Sequence, residues 1–568
     1  MWRLNAGKLI GGYLVTRFFV GNSFAVALLL AVLIITRLKG QDAAPEVLLF
    51  PGLGEHSWKI SSEVPKAQAY FDQGLAFMYG FNHDEAIRSF RVAAEEDPSC
   101  PMNWWAISLA NGPNINYPLL DEKHAPQAWQ ALQKAKELAN NGSPLEQDLI
   151  AALEARYADP PPEDRNQLDQ SYADAMRKVW NKYPDQPDVG ALFAESLMDL
   201  WPWDLWQKAG AANPDTAEVM QTLEQVLELS PNHPLALHLY IHTLEASGEV
   251  KKAADEADRL RNLQPGLGHM VHMPSHIDVR LGAWRKAIAA NEKAIVADTA
   301  YKKRSPDQDF FRIYMAHNRH MLAFAAMMIG QEKVATEQIN MMLEEMPEKW
   351  VEANAPFVDG MHSMPYEMHI RFGRWDAILA EPEPAKHFPI CRAMRHFARG
   401  VAYAAKKQPE KARAEQVEFR RLKEEVPEEA FFALNVASIV LAVADNMLEG
   451  EILYREGNVD AAIAKLEKAA ELEDDLRYTE PPDWIQPVRH ALAATLMDAK
   501  RYEHAEKVLR RDLEIHPHNG WALYDLARSL RMQGKLEEAN KVQAEFEIAW
   551  RDADVQMTSA CMCLPGDG

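Results

Sequence analysis

The sequence predicts an all-α fold: a solenoid of helix–turn–helix repeats, led by an N-terminal transmembrane or signal segment. Three observations predict it. A turn residue followed five positions later by alanine recurs along the chain: Gly248 and Ala253, Gly282 and Ala287, Gly330 and Ala335, Gly457 and Ala462, Lys500 and Ala505, Gly534 and Ala539. Histidines stand ten residues before four of these turns, at His238, His272, His320 and His490. Residues 18–36 run for nineteen positions without a charge.

The N-terminal element, residues 1–40, is long and apolar enough to span a bilayer. Arg3, Lys8 and Arg17 precede the apolar run, and Arg37 and Lys39 follow it. The upstream charges favour a cytoplasmic N-terminus, which places the repeat array outside the cytoplasm behind an uncleaved signal anchor. The alternative is a cleaved export signal, for which Gln41-Asp42-Ala43-Ala44 is a poor cleavage site. Residues 41–65 read as a linker, with Pro45, Pro51, Gly52 and Gly54.

Repeats occupy 66–264, a histidine-rich central block 265–380 and a C-terminal block 381–550, leaving 551–568 as a tail. Phe71-Asp72-Gln73-Gly74-Leu75, Asn82-His83-Asp84-Glu85-Ala86-Ile87 and Asp97-Pro98 make one complete unit. Asn519-Gly520-Trp521-Ala522-Leu523, Gly534 and Ala539 make another. Two intervals, His238 to His272 and His242 to His276, are both 34 residues. This pattern resembles the tetratricopeptide repeat family, whose period is 34 residues. The resemblance implies stacked helix pairs that bury a continuous core, small alanines where helices approach closely, and a first helix of each pair lining a concave wall. It implies little about function, because one fold serves many roles.

The chain has 568 residues, ample for a large core. Its formal net charge of −22, with no basic stripe, argues against a nucleic-acid partner. Four cysteines, Cys100, Cys391, Cys561 and Cys563, are too few for a disulfide framework. Cys561-Met562-Cys563 could bind a soft metal but reads first as part of an unstructured tail.

The histidines carry the functional signal. His238 and His242, like His272 and His276, are i, i+4 pairs; His269 and His272, like His317 and His320, are i, i+3 pairs. Such residues share a helix face, and stacked helices lie ~8–10 Å apart, so rings from two helices can meet on one ion. His238, His242, His269, His272, His276, His317 and His320 are therefore candidate ligands for a transition metal: copper, iron or zinc. Glu367, in the register position of His242 and His276, and Glu195, in the unit that precedes the His238–His242 repeat, are candidate carboxylate ligands. His490 stands apart in the array. Nearby methionines, among them Met270, Met273, Met315 and Met321, would suit copper but also fill irregular cores. Pro274 should kink its helix and could aim His272 and His276 together. Trp201, Trp203 and Trp206 read as a junction plug or a pocket wall, and Arg319 as a surface ion pair.

Two functions compete. One is a metal-binding solenoid with metal-dependent chemistry in its groove. The other is a scaffold that takes a peptide or partner helix along the concave face.

Overall fold

The computed structural model describes residues 48–207, 210–306 and 308–564. The predicted span at 18–36 lies outside these residues. Among the described residues no helix is long and apolar enough to cross a membrane. The described residues from Leu49 onward form one compact unit. It is almost wholly α-helical, with a single two-stranded antiparallel pairing among the described residues: Phe431–Phe432 against Asn435–Val436.

Local chemistry sets the helix starts. Proline opens the helices at Pro65, Pro101, Pro187, Pro234, Pro389 and Pro409, where its missing N–H costs nothing. Ser143 and Glu146 form a capping box ahead of Pro144–Glu154. The repeat alanines Ala253, Ala287, Ala335, Ala462, Ala505 and Ala539 have no exposed surface. Each sits where a larger side chain would push neighbouring helices apart.

The turn residues include Gly282, at φ +70°. A Cβ there would also collide with the carbonyl oxygen of Pro517. Gly282→Ala should therefore cost roughly 1–3 kcal/mol of stability, from left-handed backbone and lost contact together. A urea midpoint equal to that of the parent protein would contradict this.

The Pro517 contact belongs to a larger feature: later repeats pack back on earlier ones. Trp284 donates from Nε1 to Pro517 O at 2.9 Å, and Trp521 from Nε1 to Met327 O at 2.8 Å. Arg285 pairs with Asp552 at 2.6 Å. The loop between the helices Val459–Asp474 and Val488–Asp498 reaches the histidine face, carrying Glu480 to His276 at 3.1 Å. The histidine face is thus covered rather than lining an open concave groove.

Both ends of the described unit are fastened. Phe50 packs on Phe77 and Tyr301, with ring centroids 5.2 and 5.6 Å away, and Gly266 N donates to Gly52 O at 2.8 Å. Residues 551–564 are not the unstructured tail the sequence suggested. Cys561 and Cys563 are buried and disulfide-linked. Arg371 and Arg455 donate to the carbonyls of Ala560 and Cys563 at 2.9 and 2.5 Å. The apolar side chains Ala560 and Leu564 drive this docking, being as buried as the core itself.

Candidate metal centre

Three neighbouring stretches supply the histidines: the helix Pro234–Glu245, the broken pair Gly268–His272 and Pro274–Arg280, and the helix Arg312–Met328. Pro274 divides the second stretch at Met273, as its missing N–H requires. The structure gathers six of the seven candidate histidines into two triads. His238, His242 and His269 form one, and His272, His276 and His317 the other; within each, ligand nitrogens lie within 4.8 Å of one another.

Each i, i+4 pair meets through its Nε2 atoms, 3.2 Å apart for His238 and His242 and 2.8 Å for His272 and His276. The third ring comes from another stretch. His269 brings its centroid 5.0 Å from that of His238, and His317 places Nε2 3.4 Å from that of His276. The i, i+3 pairs are split, contrary to the sharing their spacing suggested. His269 and His272 join different triads, and His320 joins neither. The rings of His269 and His272 still stack, with centroids 5.8 Å apart, but their nitrogens group with different neighbours. His320 is buried with Nε2 unpartnered, and burial lowers its pKa to about 3.

The outward ring nitrogens are held. His238 Nδ1 donates to Tyr79 O at 2.7 Å, and His242 Nδ1 to Glu245 Oε1 at 3.0 Å. His272 Nδ1 donates to Asn291 Oδ1 at 2.6 Å; Asn291 Nδ2 is itself committed to Ala287 O at 2.8 Å, which fixes the amide's orientation. His276 Nδ1 lies 2.7 Å from Glu245 Oε2 and 3.1 Å from Glu480 Oε2. Protons on Nδ1 of His238, His242 and His272 leave their Nε2 lone pairs facing inward, and His276, when charged, offers an Nε2 proton that His272 Nε2 accepts at 2.8 Å. Bare lone pairs at such distances repel unless a cation or a proton sits between them. His269 adds a buried ring with neither nitrogen hydrogen-bonded.

The electrostatics follow the same plan. Burial and then neighbouring imidazoles hold His238, His269 and His317 well below the ordinary imidazole range; burial and His276 do so for His272. His276 is the exception: burial opposes its charge, but Glu245 and Glu480 outweigh it and raise the pKa to about 10. Glu245 is buried yet held down at about 2 by His276 and His242. It spans the two triads, with one oxygen on a ring of each.

The two candidate carboxylates lie elsewhere. Glu367 is buried beside Ser363, at 3.4 Å, and burial raises its pKa to about 8, opposed by the Ile485 backbone. Glu195 is half-buried near Arg156, its pKa raised by desolvation to about 7. Neither belongs to a histidine triad. Glu245 and Glu480 take the supporting role instead. Glu245 had a visible signal, standing three residues after His242; Glu480 had none. His490 is remote, as its position implied, bonded to Asp512 at 2.9 Å and Arg371 at 3.0 Å. Arg319 pairs with Glu345 at 2.6 Å. Met270, Met273 and Met321 are fully buried core residues.

Beside the centre is a cavity of about 700 Å³. His242, Glu245 and Glu480 form part of its wall, and Trp201, Trp203 and Trp206 line it, so the tryptophans are pocket residues. Ile115 also reaches it, carried by the Asn111–Pro118 loop that interrupts a repeat.

A tetratricopeptide repeat profile matches residues 496–543. Residues 496–543 carry tetratricopeptide repeat sequence. No curated protein sequence matches it. Among solved structures, the human IFIT1 dimer with PPP-AAAA aligns at 14% identity and TM-score 0.30, covering 86% of this chain and 91% of that one. The Cut9–Hcn1 hetero-tetramer of APC/C aligns at 14% and 0.31, covering 82% and 76%. Yeast Tom70 aligns at 13% and 0.29, covering 85% and 90%. These likenesses assign no ligand to this chain.

Proposed function

We propose that this tetratricopeptide-repeat protein binds transition-metal ions, one at each histidine triad. The observation that carries the reading is the pair of facing Nε2 atoms in each triad, with Nδ1 hydrogen-bonded outward in His238, His242 and His272 and set against the Glu245 and Glu480 carboxylates in His276. Outer acceptors that fix ring tautomer and orientation are the usual support of metal-bound histidine. A donor set of imidazoles suits copper, iron or zinc. Imidazole ligands do not offset the charge of two buried cations, and Glu245 and Glu480 place carboxylates against the outer nitrogens where they offset it. Three protein ligands leave a coordination position open, the arrangement that Lewis-acid or redox chemistry needs.

The test is elemental analysis of the full chain, purified without a histidine tag or chelator. An ion for each triad is expected. No stoichiometric metal, even after reconstitution with copper, iron and zinc, would sink the proposal.

The scaffold reading, a peptide or partner helix in a concave groove, has less support because the histidine face is buried and the Glu480 loop lies across it. The proposed setting is extracytoplasmic, anchored through residues 18–36, and the Cys561–Cys563 disulfide accords with an oxidising compartment. A C-terminal alkaline phosphatase fusion should then be active; an inactive, stably made fusion would count against it.

A further inference from the structure

We infer that the cavity beside the centre binds a small aromatic molecule bearing an oxygen or nitrogen donor, its ring against the tryptophan wall and its donor directed past His242 to the ion of the first triad. The donor half of this inference rests on the metal reading above; the aromatic half does not.

The volume, about 700 Å³, falls within the range of pockets that enclose small organic ligands. Its lining includes the aromatic side chains Trp201, Trp203, Trp206, Tyr478 and Trp484. Two of these rings are locked. Trp201 Nε1 donates to Asp215 at 2.7 Å and Trp206 Nε1 to Thr243 O at 2.6 Å. Tyr478 is flanked by the Arg280 guanidinium, 5.2 Å from its centroid, and Arg280 is tied to Glu245 O at 2.6 Å. A wall of fixed rings is preorganised for a planar ligand, because offset and edge-to-face ring contacts reward aromatic over saturated shapes.

Trp203 points the same way by an independent route. It holds φ at +58°, a left-handed backbone that a bulky residue rarely adopts, and it is only half-buried. Such strain persists where a side chain has a task at a site. Here the strained turn sets the indole edge-on to His242, with centroids 5.4 Å apart and planes at 80°. Among the six triad rings, His242 alone lies on the cavity wall. Trp203 therefore marks where the aromatic wall meets the candidate centre. Carboxylates outnumber guanidiniums in the cavity lining by eight to four, which disfavours an anionic ligand.

The test is calorimetric titration of the full metal-loaded chain with 2-naphthol, naphthalene and 2-decalol. The expected order is 2-naphthol, then naphthalene, then 2-decalol, with roughly tenfold between the aromatic and the saturated alcohol. Trp203→Gly relieves the backbone, so it should fold and melt at least as well as the parent while losing roughly tenfold in 2-naphthol affinity. Trp203→Phe should recover most of that loss. His269→Ala should abolish the advantage of 2-naphthol over naphthalene and keep the advantage of both over 2-decalol. Equal binding of 2-naphthol and 2-decalol, or full affinity in Trp203→Gly, would overturn the aromatic site. Equal binding of 2-naphthol and naphthalene to metal-loaded protein would overturn the donor contact. A chain that holds no metal but still prefers 2-naphthol through Trp203 would remove the metal reading and leave the aromatic site standing.

Discussion

The His272→Ala/His276→Ala double variant is expected to lose the ion of its own triad and keep the other. The reciprocal variant, His238→Ala/His242→Ala, should do the reverse. Each pair contributes Nε2 atoms to one position only, and its loss leaves a single ring there, too few donors to hold a transition metal against water. Glu245→Gln should behave differently. Its two oxygens serve His242 and His276, one in each triad, so neutralising it should weaken both ions at once, by roughly 10–100-fold. His490→Ala, whose ring is committed to Asp512 and Arg371, should keep its full metal content. Elemental analysis and competition with a chromophoric chelator would read all four variants. Unchanged metal in either double variant would remove that triad as a site, and a Glu245→Gln effect confined to one ion would break the proposed bridge.

What the sequence reveals of this centre is what lies along one helix. The i, i+4 pairs are legible because their spacing alone fixes a common face. Which third ring completes each triad is not, because that depends on how neighbouring stretches cross. His269 and His272 look equivalent in sequence, yet packing sends them to opposite triads. Repeat register also fades with distance. Glu367 occupies the position of His242 and His276, but each stacked unit is rotated on the last, and by the helix Ala355–Arg371 that position faces Ser363 and Ile485. Glu480 was beyond sequence reasoning altogether. It stands in an irregular loop about 200 residues from His276, and only the folding back of the later repeats brings it there. The fold itself was legible for the opposite reason: glycine turns and repeat alanines act locally, and each unit repeats the same solution.

That folding back makes Trp521 the residue whose loss should cost most. The side chain is wholly buried, with the Arg371 guanidinium 3.7 Å from its ring and Trp550 edge-on at 5.1 Å. Its Nε1 donates to Met327 O, in the helix that carries His317. Arg371 is almost fully buried, and burial lowers its pKa to about 9 against the pull of Asp512. A cation in that setting relies on the few groups that face it: the indole, the Ala560 carbonyl and His490. Trp521→Ala would open a cavity, free the Met327 carbonyl and strip the guanidinium of its ring. The expected cost is about 3–5 kcal/mol in urea unfolding. Trp521→Phe, which loses only the N–H bond, should cost about 1–2 kcal/mol. The shape of the transition is as telling as its midpoint. A solenoid whose repeats touch only their neighbours unfolds piecemeal, whereas contacts that tie residues 284–327 to 517–552 couple the two ends into one cooperative event. Trp521→Ala should therefore broaden the single transition or split it in two, the C-terminal repeats melting first. A small cost with an unchanged, single transition would mean that nearest-neighbour stacking alone holds this chain together.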